Sequence, residues 1–122
     1  MANISPVIQV HAHTDLIEVV KWETVTEADA PVAFKPRTGW IGHDVTVMCT
    51  GTFGGGTITF KGSLDPANVV AAETLHKTDL ADLALTAVGI FGVNEAVFFI
   101  LPVRTGGASM DVDIFVMFGG SR

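Results

Sequence analysis

The sequence predicts an all-β fold, a two-sheet antiparallel β-sandwich of jelly-roll-like build. Three observations predict it: apolar residues alternate strictly in several short runs, turn-forming residues separate those runs, and no convincing series of crossover helices lies between them. In residues 45–53, Val45, Val47, Cys49, Gly51 and Phe53 share one face and Thr46, Met48, Thr50 and Thr52 the other. After Gly54, Gly55 and Gly56 the alternation resumes, with Ile58, Phe60, Gly62 and Leu64 opposing Thr57, Thr59, Lys61 and Ser63, so the pair reads as a hairpin. Residues 110–118 alternate again, with Met110, Val112, Ile114, Val116 and Phe118 on one side and Asp111 and Asp113 starting the other. Residues 16–25 and 31–34 are rich in β-branched and aromatic types and read as strands. Residues 96–103 are apolar on both faces, the pattern of a strand covered on two sides, and Pro102 belongs at an edge or bulge because it has no N–H for a ladder. Residues 83–88 read as a further strand. Residues 66–77 stay open, since Asp65-Pro66 offers a helix start while the flanking strands argue for a continuing sheet.

Composition bounds the function classes. A chain of 122 residues, 48% hydrophobic and 16% charged, is one domain with one core. Residues 1–12 read as an N-terminal arm, because Pro6 discourages regular pairing, and 13–122 as the single sandwich domain. Seven basic residues against thirteen acidic ones give a net charge of −6 with no basic stripe, which argues against nucleic-acid binding. The opening Met-Ala-Asn-Ile-Ser-Pro lacks a basic region followed by an apolar stretch, and no long apolar run follows, so neither a secreted precursor nor a membrane protein is expected.

The polar groupings give little chemistry. His11, His13 and Asp15 share one side of an extended segment, yet spacing alone supplies neither the geometry nor the support of a zinc site, and a solvated edge is the simpler reading. His43-Asp44 and the Asp111/Asp113 pair lack an evident cleft to shift their pKa values. The run from Gly51 to Gly56 lacks the lysine and helix start of a phosphate loop and reads as a turn. Cys49, the only cysteine, reads as core filler. Trp22 and Trp40 fit either a core or an exposed sugar platform. No catalytic residue, metal ligand or cofactor site is expected, and the chain is read as a non-enzyme.

Two parts of the chain have apolar residues to spare for a neighbour. In the arm these are Ile4, Pro6, Val7 and Ile8; in the strands they are Phe99, Leu101, Phe115 and Met117, which exceed what one sandwich face needs.

Several stretches also carry a resemblance. Residues 22–29, Trp-Glu-Thr-Val-Thr-Glu-Ala-Asp, then Asp44-Val45-Thr46-Val47 and the run from Gly51-Thr52-Phe53-Gly54 to Gly62-Ser63-Leu64-Asp65, resemble the small β-sandwich virion proteins of tailed bacteriophages, of the capsid decoration or cement type. Leu83 to Ala87, Val103-Arg104 before Gly106-Gly107, and Asp111-Val112 are similar to that family's second half. The chain departs from the pattern at Pro66-Ala67-Asn68-Val69, where a Gly-Thr-X-Trp turn commonly follows the aspartate. The resemblance implies a protein made in the host bacterial cytoplasm and carried on the capsid exterior, bound to the major capsid protein shell and self-associated as a homodimer or homotrimer. The alternative it leaves is a head-fibre or tail-associated module that binds a glycan or receptor.

Overall fold

In a computed structural model the described residues are 2–12, 17–26, 28–35, 45–63, 72–94 and 99–119. They are all β, with no helix among them and hence none long and apolar enough to cross a membrane. Eleven strands follow in order: β1 (Ala2–Ile4), β2 (Val7–Ala12), β3 (Ile17–Thr26), β4 (Asp29–Pro31), β5 (Val45–Thr52), β6 (Thr57–Ser63), β7 (Glu73–Thr74), β8 (Ala84–Leu85), β9 (Gly89–Val93), β10 (Phe99–Thr105) and β11 (Asp111–Gly119). The larger sheet runs β2-β3-β11-β5-β9, antiparallel throughout. The smaller sheet is β10-β6 with β7 and β8 end to end along the far side of β6. A short parallel ribbon, β1 with β4, lies beside them.

The two sheets close on one core because the alternating strands send the same parity inward. Val20, Trp22 and Val25 of β3, Val45, Val47 and Cys49 of β5, and Val112, Ile114, Val116 and Phe118 of β11 meet Ile58 and Phe60 of β6, Ile100 of β10 and Leu75, Leu83 and Leu85. That is the predicted two-sheet sandwich, and each of those apolar faces is buried. Trp22 is wholly buried, and its Nε1 donates to the Val32 carbonyl at 2.8 Å, which satisfies the indole inside. Trp22 is therefore a core residue; Trp40 lies outside the described residues.

The hairpin expected at 45–63 is absent. β5 pairs with β11 and β9, and β6 with β10, β7 and β8, so the two runs belong to opposite sheets. Alternation says which side of a strand is buried but not which strand lies beside it, and both runs satisfy it by facing each other across the core. The glycine connection is a tight turn, closed by Gly56 N–H donating to Phe53 O at 2.9 Å, with Gly54 and Gly55 at φ 59 and 82 as a type I′ turn requires. It acts as a crossover. A second crossover, between β10 and β11, lies against it, closed by Met110 N–H to Gly107 O at 3.1 Å.

The two crossovers touch backbone to backbone. A Cβ built on Gly54 would stand 2.9 Å from the backbone of Ser109, and one on Gly107 2.9 Å from Phe53 O. Gly54 and Gly107 also hold φ of 59 and 81, so these two sites demand glycine twice over.

Residues 2–12, read as an N-terminal arm, are paired with the rest of the chain. β1 pairs with β4 in register Ala2↔Asp29 to Ile4↔Pro31, Ile4 packs against the core, and β2 forms an edge of the larger sheet against β3. Pro6 falls between the two strands and breaks neither. At the smaller sheet, Pro102 does lie on an edge strand. The N–H and C=O of Ile100 both bond to Phe34, away from β6, and Pro102 two residues on has the same sense, so its missing N–H costs the β6 ladder nothing. Of the strand expected at 83–88 only Ala84–Leu85 is paired, and of the open 66–77 segment residues 72–77 are described and include β7.

Gly107→Val is expected to lower stability by about 2 kcal/mol or more, from backbone strain and the clash with the neighbouring crossover. Gly55, at φ 82 with nothing within 4 Å of its Cβ position, should accept asparagine at far smaller cost. Urea unfolding of both variants checks this, and equal losses would refute the nested-crossover account.

Candidate functional site

Where the core faces of β3, β5 and β11 point inward, the opposite parity of the larger sheet points outward, and it is not polar. Direct ladder partners share a face, so the register Val7↔Lys21↔Phe115↔Met48↔Ile90 sets five side chains in one row across all five strands. The next row contains Val19, Met117 and Thr46. Val19, Thr46, Met48, Ile90, Phe115 and Met117 line a shallow, almost wholly apolar depression of about 240 Å³. At the ends of the first row Ile90 is 64% exposed and Val7 56%. Lys21 supplies the row's one charge. Its Nζ lies 5.2 Å from the centre of the Phe115 ring, 3.6 Å from Glu23 Oε1 and 3.7 Å from Asp113 Oδ2, so the cation is balanced locally.

Asp113 has a structural role that its pairing with Asp111 did not reveal. Between the pairs Val112↔Val25 and Ile114↔Trp22, β3 holds two residues, Glu23 and Thr24, opposite one on β11, which is a β-bulge. Thr24 sits at φ 55, a costly conformation for a β-branched residue, and its N–H donates to Asp113 Oδ1 at 2.8 Å. The carboxylate thus fastens the bulge. Asp111, at the strand's start, is exposed.

The remaining predicted positions scatter. Phe99 is completely buried outside the central core cluster, so the chain itself covers the second face of β10 there and Phe99 offers nothing to a neighbour. Leu101 is half-buried in a separate shallow depression flanked by Pro31 and Arg104. Ile4 is occupied by the core and Pro6 is half-buried, while the Ile8 side chain lies outside the described residues. Phe115, Met117 and Val7 do come together on the outer face. Val19, Met48 and Ile90 join them unforeseen; the signal for Met48 was a large apolar side chain among threonines on the solvent parity of 45–53.

Among the described residues no three His, Cys, Asp or Glu side chains gather to hold a metal ion. His13, Asp15, His43, Asp44 and the His11 side chain lie outside the description. Cys49 is buried in the core, and burial pushes its thiol up from 9.0 to about 12. A neutral, enclosed thiol is no nucleophile.

Two predictions follow from these side chains. Asp113→Ala should cost about 1 kcal/mol through the lost charge-assisted bond to Thr24, and Thr24→Gly should gain about 0.5–1 kcal/mol by relieving the left-handed strain; chemical denaturation reads both, and an unaffected Asp113→Ala variant would remove the bulge fastening. For Cys49, the raised folded-state value means the thiol contributes stability that is complete below pH 9 and is lost as pH climbs towards 12, because the unfolded chain ionises first. Cys49→Ala should flatten that part of the alkaline stability curve, and a thiol reagent should label the native protein only as fast as it unfolds.

No protein-family model and no curated protein matches the chain. Among solved structures it is similar to the crystal structure of a cupin domain from Bordetella pertussis Tohama I, with 12% identity and a TM-score of 0.49 over 99% of this chain and 96% of that one.

Proposed function

We propose that this chain is a structural, non-catalytic virion protein of a tailed bacteriophage, a decoration protein that binds the major capsid protein on the outer surface of the head and stabilises the shell. The observation that carries this reading is the apolar outer face of the larger sheet, uncovered among the described residues. A sandwich normally turns solvated side chains outward, and a face built from Val7, Val19, Met48, Ile90, Phe115 and Met117 completes its burial by assembly. The resemblance of residues 22–29, 44–47, 51–65 and 83–87, with Val103-Arg104, Gly106-Gly107 and Asp111-Val112, to phage decoration proteins gives that assembly its setting, the capsid exterior, with synthesis in the host bacterial cytoplasm. On a shell, a weak contact per copy is multiplied by the symmetry of the lattice, and binding only the assembled form stabilises that form. The head-fibre or glycan-binding alternative loses one of its two candidate platforms, since Trp22 is enclosed and its indole N–H is already used.

Incubation with empty capsids, pelleting and cryo-microscopy test the proposal. Ordered density repeated over the whole shell is expected, with Phe115→Asp lowering the bound amount at least tenfold at equal protein concentration. Absence from shells would overturn the reading, and copies confined to a vertex or tail would replace it with the fibre alternative.

A further inference from the structure

We infer that the cleft between β4 and β10 captures the C-terminal residue of a partner polypeptide, with its apolar side chain in the cleft and its carboxylate on Arg104. Neither strand belongs to the larger sheet, so the site is separate from the outer face and stands whether or not the chain binds shells.

The cleft forms because two neighbouring segments part. Phe34 and Ile100 exchange both backbone bonds, at 2.9 and 3.0 Å, but two residues earlier Val32 gives its N–H to the Ile4 carbonyl, and β4 pairs with β1 instead of β10. Past that bridge β10 is paired on one side alone, with β6. The Ile100 groups point away from β6, so the Pro102 carbonyl and the Arg104 N–H and carbonyl point the same way, and among the described residues nothing bonds to them. These are the groups with which a strand edge holds an extended peptide. Pro31 on one wall and Leu101, Pro102 and Val103 on the other make the cleft mostly apolar. Its volume of about 210 Å³ lies below the roughly 300–1,000 Å³ that takes a drug-sized ligand, and suits a single side chain.

Arg104 gives the cleft its charge. Its Nε donates to Asp29 O at 3.2 Å and its Nη1 to Gly106 O at 2.8 Å, so two neutral acceptors fix the planar fork without cancelling the charge. Among the described residues no carboxylate pairs with it. Asp29, the acid that lines the cleft, turns its Oδ2 to the Thr26 N–H and hydroxyl, both at 2.9 Å. Lys61, set beside Leu101 by the register, adds a second cation on the same face. In a chain of net charge −6, a guanidinium held in place without a counter-charge is matched by a ligand carboxylate, which its remaining N–H groups can meet in a bidentate pair. The ends of the cleft say which carboxylate. One is closed by the Phe34–Ile100 bridge and the other by the Arg104 side chain reaching across to Asp29, so a strand running through would have to break one of them. A chain end enters from the open side and breaks neither.

Titrating the isotope-labelled full chain with a short acetylated peptide that ends in leucine and a free carboxylate, followed through the backbone amide resonances, tests the site. Saturable shifts at Ala30, Leu101, Val103 and Arg104 are expected, and the same peptide made as its C-terminal amide should bind at least tenfold more weakly. Arg104→Gln, which removes the charge and keeps a donor, should erase the difference between the two peptides. Should that variant fail to fold, Leu101→Glu puts a carboxylate on the cleft wall without touching the Arg104 bonds, and should weaken the free-acid peptide at least tenfold. Absence of saturable shifts at millimolar peptide, or equal binding of acid and amide, would overturn the inference. So would acetate alone, or a peptide carrying an internal aspartate in place of the terminal carboxylate, binding as tightly as the free-acid peptide.

Discussion

The contact on which this architecture depends is the backbone-to-backbone nesting of the β5–β6 and β10–β11 crossovers. Each of these connections carries the chain from one sheet to the other, and their mutual approach, Gly54 against Ser109 and Gly107 against Phe53, fixes how the sheets are offset. Once that offset is set, the inward parity of β5, β6, β10 and β11 is set too, and the core of Trp22, Phe60, Ile114 and Phe118 follows. So does the outward parity. The apolar row from Val7 to Ile90 is the other side of the same strands, and it cannot be turned inward without slipping every strand by one residue.

The larger sheet is thus asked to do two things at once. Its inner face closes a sandwich; its outer face carries an apolar row in which Lys21 lies close to the carboxylates of Glu23 and Asp113. The bulge at Glu23–Thr24 separates these roles along β3. On one side of it Lys21 and Val19 serve the outer face, and beyond it Val25 returns to the core, a switch that the Asp113 carboxylate holds in place against the strain at Thr24.

Much of this fold was legible in the residues, and the failures have physical causes. Alternation at 45–53, 57–64 and 110–118 located β5, β6 and β11 to within a residue or two, because burial on one side leaves a period-two mark. Pairing left no such mark, so a glycine-rich turn with hairpin chemistry was read as a hairpin although its strands diverge into two sheets. β9, Gly-Ile-Phe-Gly-Val, is a strand its neighbours impose, with two glycines and no clean period. β1 and β2 were hidden by Pro6, which reads as a breaker and in fact fills the gap between two strands. At the outer face, Phe115 and Met117 stood out as apolar residues on an acidic parity, whereas Val19, Met48 and Ile90 acquired meaning only from the cross-strand register. Phe99 shows the converse: a spare apolar residue in the sequence was already accounted for within the chain.

The position of β11 has a consequence for how the molecule is made. It is the last strand in order and yet the central one of the larger sheet, wedged between β3 and β5. While the chain emerges from the ribosome, β3 and β5 have no common neighbour, and the sheet that should unite them lacks its keel. The larger sheet therefore cannot close until β11 is in place, which makes its formation depend on pairings between residues far apart in the sequence.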